Sequence, residues 1–199
     1  MIKYIVSRYN QSIDWMKDYS TDVVIYDRSE VPLEGATIVP NVGSDLYDKL
    51  HFIIENYDNL PDVATYIKCN LFKYITQEEY DLVKDNKTFT PILTQYHRTY
   101  SDARGVVCYY KDGLYYERND GWFLTKAKSM YAALEVYEMM GIREMDYVGF
   151  APGSNYILPK ENILKHSKEF YQKLRSYCDW DVYPSEAMII ERGLYYLWK

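Results

Sequence analysis

The first 27 residues constrain the fold more than any other part of the chain. Ile2-Lys3-Tyr4-Ile5-Val6 is a short β-branched run, and Ile13, Trp15, Met16 and Tyr19 recur at helical spacing over residues 12–19, with Ser12 as the N-cap. Asp22-Val23-Val24-Ile25-Tyr26-Asp27 then reads as a second buried strand. Two strands enclosing a helix in so short a span form a βαβ unit. Its strands run parallel, and a parallel sheet needs helices on its faces. The expected class is therefore α/β, with a central, mostly parallel mixed sheet flanked by helices.

The rest of the chain extends this pattern. Residues 28–40 read as a loop with an extended piece at Thr37-Ile38-Val39, after which Leu46, Leu50, Ile53, Ile54 and Tyr57 share one helical face behind Ser44. Asn59-Leu60-Pro61 stops that helix, and Val63-Ala64-Thr65-Tyr66-Ile67 is a third strand. Thr76, three residues before Glu79, predicts a capping box for a short helix ending at Val83. The stretch from Phe89 to Arg118 is mostly β or loop, with a hairpin over residues 108–116 turned by Asp112-Gly113. A helix from about Lys126 to Met140 closes on Gly141, and a strand, turn and strand cover 146–158. One helix from Pro159 or Lys160 to about Tyr177 and another from Ser185 to Trp198 complete the chain. No linker, repeat or low-complexity tract divides it, so residues 1–199 are expected to form one domain with insertions over 71–125.

Composition excludes several classes of function. With 23 Lys and Arg against 29 Asp and Glu, the net charge of −6 disfavours a phosphate-backbone surface, so no nucleic-acid partner is expected. Local cations remain sufficient for one or two phosphates. The cysteines Cys69, Cys108 and Cys178 form no CxxC pair, which points away from a disulfide framework or zinc knot and toward a reduced, cytoplasmic chain. No apolar run reaches the roughly 20 residues of a membrane span, and Ser7-Arg8-Tyr9-Asn10 interrupts the first strand too early for a secretory signal. Tyrosines number 24 against 6 Phe and 4 Trp; most are expected to be packing residues with their hydroxyls at the surface.

In an open parallel sheet, ligands bind outside the carboxyl ends of the strands. Here those ends are Ser7-Arg8-Tyr9, Tyr26-Asp27 and Lys68-Cys69-Asn70, joined by Asn41-Val42-Gly43 at the entry to a helix. Tyr26 is suited to stack on a base, Asp27 to accept from a base or ribose, and Arg8 or Lys68 to hold a diphosphate. The competing reading is that Arg8 and Asp27 pair with each other across neighbouring strand ends. Neither GxGxxG nor GxxxxGK[ST] occurs, which disfavours a dinucleotide-binding Rossmann site and a P-loop.

The segment Asn41-Val42-Gly43-Ser44-Asp45, continued by Leu50-His51-Phe52-Ile53-Ile54-Glu55-Asn56-Tyr57-Asp58-Asn59-Leu60-Pro61-Asp62, resembles the signature of a glycosyltransferase-like family described as domain of unknown function DUF3431. Ile5-Val6-Ser7-Arg8-Tyr9-Asn10, Ile190-Glu191-Arg192 and Trp198 resemble its flanks, with Asp45 in place of a usual Glu and Lys68-Cys69 in place of Gln-Gly. The resemblance implies a single GT-A-like domain that transfers sugar from a nucleoside diphosphate donor, a UDP-sugar, to a glycan or glycoprotein acceptor. Relatives of this type occur in large DNA viruses, which would place a virus-encoded chain in the host cytoplasm. With such a donor, the residues expected to surround the nucleotide sugar are Ser7, Arg8, Tyr9, Tyr26, Asp27, Asn41, Gly43, Asp45, Lys68, Asn70 and His97. The alternative is a non-catalytic carbohydrate-binding or interaction module on the same fold.

GT-A enzymes usually hold a divalent cation, Mn²⁺ or Mg²⁺, on a DxD motif after a central strand, because hard oxygen ligands bridge the metal to the diphosphate. Lys68-Cys69-Asn70 offers no carboxylate there. Asp179-Trp180-Asp181 is the literal DxD, expected on a solvated loop; Glu78, Glu79 and Asp81 are other candidates. In inverting members a carboxylate opens a late helix with an Arg six residues on. Glu186, followed by Arg192, fits that order and is the expected catalytic base. His51 is expected to be packed, His97 with Arg98 to face the diphosphate, and Tyr109, Tyr110, Tyr115 and Tyr116 to alternate as pairs on the two faces of the hairpin.

Overall fold

The computed structural model describes residues 2–19, 22–94 and 99–199. β1 (Ile2–Arg8) and β2 (Val23–Asp27) pair in parallel, with Tyr4 opposite Val23 and Arg8 opposite Asp27. In place of the α-helix expected over 12–19, their crossover holds one 3₁₀ turn, Asp14–Asp18. Residues 9–12 are folded around the end of β1 instead: the Gln11 carbonyl accepts from Arg8 Nε at 2.8 Å, and Ser12 Oγ accepts from the Asp14 amide at 3.1 Å. The Trp15 indole fastens this turn by donating to the Cys69 carbonyl at 2.8 Å.

β3 (Thr37–Ile38) adds to β2 in parallel, α1 (Ser44–Asn56) follows, and β4 (Val63–Lys68) returns parallel on the other side of β1. α2 (Gln77–Val83) carries the expected capping box between Thr76 and Glu79, and β5 (Thr90–Pro91) follows it. β6 (Tyr100–Asp102), β7 (Gly105–Lys111) and β8 (Leu114–Arg118) form an antiparallel meander, turned at Asp112 and Gly113, both at positive φ. α3 (Met130–Met140) begins later than expected because Ser129 supplies the cap, accepting from the Ala132 amide at 3.0 Å; Gly141 closes it in the left-handed region.

β9 (Tyr147–Phe150) and β10 (Tyr156–Pro159) are the strand pair expected around residues 146–158, yet they enter different sheets. β9 pairs with β8, completing a four-stranded sheet ordered β6-β7-β8-β9, while β10 pairs antiparallel with both β4 and β5. The main sheet is thus mixed and six-stranded, ordered β3-β2-β1-β4-β10-β5. The helix expected from 160 to 177 is divided into α4 (Lys160–Ile163) and α5 (Lys168–Ser176), because Ser167 caps a new start by accepting from the Phe170 amide. α6 (Ser185–Trp198) matches its expected span.

The alternation of strand side chains builds two cores. Ile5 and Tyr66 face the cluster made with Leu50, Ile53, Ile190 and Trp198, whereas Tyr4, Val6 and Ile67 face Met16, Leu71 and Tyr80 on the other side. Tyr66, Tyr80, Tyr156 and Tyr171 are completely buried, hydroxyls included, so these packing rings do not reach the surface as expected. Tyr171 donates to the Ile163 carbonyl at 2.8 Å, and the Tyr156 oxygen accepts from the Ala151 amide at 3.0 Å. Among the described residues, no helix is long and apolar enough to cross a membrane.

Candidate functional site

The chain winds outward from β1 to β2 and β3 on one side and returns to β4 on the other, so the order of the sheet reverses between β1 and β4. A crevice forms outside the strand ends at such a point. Here it is a cavity of about 310 Å³, bounded by Ser7, Arg8, Tyr9 and Gln11 at and beyond the end of β1, Arg28 just after β2, and Lys68, Cys69 and Asn70 at and beyond the end of β4. Asn41, Ser44 and Asp45 close it from the entry to α1, and Val182 and Tyr183 from the loop before α6.

Seven of the expected donor residues, Ser7, Arg8, Tyr9, Asn41, Asp45, Lys68 and Asn70, meet at this cavity. Tyr26, Asp27 and Gly43 do not line it. Tyr26 is buried in the helix-covered core with its ring edge-on to His51, 5.7 Å between centroids, so it has no face for a base. Asp27 is fully buried and its carboxylate accepts from Arg8, the Ser29 hydroxyl, and the Ser29 and Leu33 amides, both at 2.9 Å. The competing reading, a structural Arg8–Asp27 pair, is the one seen. Gly43 serves close approach: at φ +61°, its Cβ position would lie 2.5 Å from the Cys178 carbonyl oxygen. The amides of Gly43 and Ser44 donate to the carbonyls of Asp181 and Val182 at 2.8 and 2.9 Å. His51 is packed as expected, stacked on Tyr47 and 2.8 Å from an Arg175 nitrogen. His97 and Arg98 lie outside the described residues.

Beneath the cavity three groups of charges pair: Arg8 with Asp27, Arg28 with Asp48, and both Lys49 and Lys68 with Asp45. Asp45 also accepts from the hydroxyls of Ser44 and Ser154. Burial opposes its ionisation, but the two ammonium groups prevail and hold its carboxyl well below the usual range. For Lys68, burial works against the charge, while Asp45 and then Glu191 more than offset it and raise its pKa. Lys49, fully enclosed, is pushed down by burial. Asp48 is pushed up to about 6, again by burial, against the pull of Arg28. Arg28, Asp48 and Lys49 escaped the sequence reading. The available signal was the polar trio at 45, 48 and 49, which share one face of a helix otherwise patterned for packing.

Lys68 Nζ is 2.7 Å from Asp45 Oδ1, and its side chain is the member of the lysine pair that reaches the cavity. It also borders two neighbouring spaces. One, of about 90 Å³, runs between Asp45 and Glu191. The other, of about 490 Å³, is walled by Tyr74, Tyr110, Tyr115 and Phe150, with Glu117, Glu191 and Arg192 among its polar groups. Three successive residues between β9 and β10 brace this junction. The Gly153 amide donates to Glu191 Oε1 at 2.7 Å, Ser154 donates to Asp45, and Asn155 Oδ1 accepts from the Lys68 amide at 2.9 Å.

Glu186, the expected base, is not at any of these spaces. It is completely buried, with Oε1 accepting from the Lys128 amide at 2.7 Å, and together with Ser185 it holds the 123–128 loop onto the start of α6. Arg192 is likewise occupied, donating through Nε to Glu117 at 2.8 Å with its guanidinium 4.3 Å from the Phe123 ring centroid. Five residues beyond Glu186, or about 140° around a helix, Glu191 is the carboxylate of α6 that faces the cleft.

The residues present do not fit a divalent cation at the switch point. Among the described residues the cavity's single carboxylate is Asp45, enclosed by two ammonium groups and two hydroxyls, which leaves no set of hard oxygen donors there. Asp179 is exposed, Asp181 accepts from the Tyr183 amide at 2.8 Å, and neither they nor Glu78, Glu79 or Asp81 line the cavity. Among the described residues no group of three or more His, Cys, Asp or Glu side chains is placed to hold a metal ion. No family model, no curated protein and no solved structure matches the chain.

Proposed function

We propose that this protein is a GT-A-type glycosyltransferase that moves a sugar from a nucleoside diphosphate donor, a UDP-sugar, to a glycan or glycoprotein acceptor. One observation carries the reading: Lys68 stands where a basic cavity at the strand-order reversal meets an aromatic-walled cleft containing a carboxylate. The basic side suits a diphosphate, which Arg and Lys recognise through charge-assisted hydrogen bonds. The cleft of Tyr74, Tyr110 and Tyr115 suits a saccharide, which presents apolar ring faces and hydroxyls together. In an inverting transfer the acceptor oxygen bonds to the anomeric carbon, and the bond from that carbon to the diphosphate oxygen breaks. Glu191 takes the acceptor proton, and Lys68 lies beside the charge released on the leaving diphosphate.

Engagement of Glu191 Oε1 by the Gly153 amide favours a second reading, a carbohydrate-binding module that holds the same ligands without turnover. The test is a panel of UDP-, GDP-, CMP- and ADP-sugars, followed by thermal shift and by release of free nucleotide with mono- and disaccharide acceptors. Stabilisation with release supports the transferase, and stabilisation without release with any acceptor supports the module. No shift with any donor refutes both.

A further inference from the structure

We infer that the switch-point cavity holds the diphosphate of its ligand on side-chain cations alone, without a divalent metal ion, with Lys68 making the contact and Asp45 positioning it. The identity of that diphosphate as part of a nucleotide sugar rests on the reading above; the mode of holding it does not.

The ionised side chains bordering the cavity are three cations, Arg8, Arg28 and Lys68, and one carboxylate, Asp45. Counting the partners beneath them and Glu191, whose charge acts on Lys68 from the adjoining spaces, four cations (Arg8, Arg28, Lys49, Lys68) meet four carboxylates (Asp27, Asp45, Asp48, Glu191), with three of the cations but only one of the carboxylates bordering the cavity. Glu191, the next carboxylate, borders the adjoining spaces rather than this one. A divalent cation there would face three cations and one carboxylate already paired with two ammonium groups, whereas an anion would face the cations.

Lys68 is the group built to receive that anion. Its ammonium has three donors, and Asp45 takes one at 2.7 Å. Lys49 anchors the other carboxylate oxygen of Asp45 from a fully enclosed position, so Asp45 is fixed and Lys68 with it. The amides of Gly43 and Ser44 are not the receivers, because they already donate to the loop before α6. The cavity thus presents side-chain cations at a place where a metal-dependent enzyme would need acids.

Calorimetric titration of the full chain with UDP and, separately, with inorganic pyrophosphate tests this, each in EDTA and then in Mn²⁺ or Mg²⁺. Both probes are expected to bind in EDTA, with the metal changing Kd by less than about threefold. Lys68→Met should weaken both by about 10- to 100-fold, the loss of one charged hydrogen bond, with Asp45 still paired to Lys49. UDP binding that requires the metal overturns the inference and leaves the donor reading standing. Pyrophosphate binding in EDTA with no nucleotide binding sustains the inference and overturns the donor reading. Binding of neither probe overturns both, and unchanged affinity in Lys68→Met removes Lys68 from its role.

Discussion

Gly43→Ala probes the joint between α1 and the loop that closes the cavity. Alanine at φ +61° adopts a left-handed conformation costing about 1–2 kcal/mol, and its Cβ would meet the Cys178 carbonyl oxygen at 2.5 Å and the Cys178 Cβ at 2.6 Å. Neither atom is the end of a flexible side chain, so an overpacking cost of about 1–3 kcal/mol adds to the conformational one. The sum, roughly 2–5 kcal/mol, corresponds to a fall in Tm of about 5–15 °C for a chain of this length. Gly35→Ala separates the two costs, because Gly35 has φ +78° and nothing within 4 Å of its Cβ position. It should lose only the conformational part, roughly 2–6 °C. The amides of Gly43 and Ser44 hold Asp181 and Val182, and Val182 and Tyr183 wall the cavity, so Gly43→Ala should also weaken nucleotide binding while Gly35→Ala does not. Thermal unfolding and a nucleotide titration on the two variants decide the matter. Equal Tm losses would refute the argument from close approach.

Two further outcomes follow from the charges. Burial raises the Asp48 pKa from 3.8 to about 6, so the stability it contributes is complete below pH 3.8 and is lost as pH rises through 6. His51, lowered by burial and by Arg175, has the opposite sign near that window, so the measurement is the difference between wild type and Asp48→Asn: wild-type unfolding free energy should fall relative to the variant by about 2–3 kcal/mol from pH 4 to 7, and parallel profiles would remove Asp48 as the cause. If the proposed transfer takes place in the aromatic-walled cleft, Glu191→Gln should cut it by about 100-fold or more with UDP affinity near wild type, whereas Glu186→Gln should alter stability before activity. Full turnover in Glu191→Gln would exclude it as the base.

The parts of the fold legible in the sequence are those set by local rules. Short β-branched and apolar runs exposed β1, β2 and β4, helical spacing exposed α1, and the chemistry of Thr76 with Glu79 and of Asp112-Gly113 marked a cap and a turn. The site was legible to the same depth, because strand ends converge wherever a parallel sheet reverses its order. What escaped depends on partners far away along the chain. Nothing local tells β10 to leave β9 and insert beside β4. Tyr26 and Asp27 sit at the right strand end, yet one ring turns into the helix-covered core and the other carboxylate is taken by Arg8. The choice between Glu186 and Glu191 is one of helical phase, set by how the 123–128 loop packs over the start of α6.

Loops between strands are commonly the places where a chain tolerates added or missing residues. The stretch from Ala151 to Asn155 is the reverse. Gly153, Ser154 and Asn155 engage Glu191, Asp45 and Lys68 in consecutive order, while the strands on either side belong to different sheets. Inserting one residue there would leave both sheets with their hydrogen-bonded ladders yet put all three contacts out of phase together. Chain length between two ladders, more than the identity of any side chain, is then the quantity that sets the spacing between the acid and the cation of this cleft, and a redesign aimed at a larger or smaller ligand would begin there.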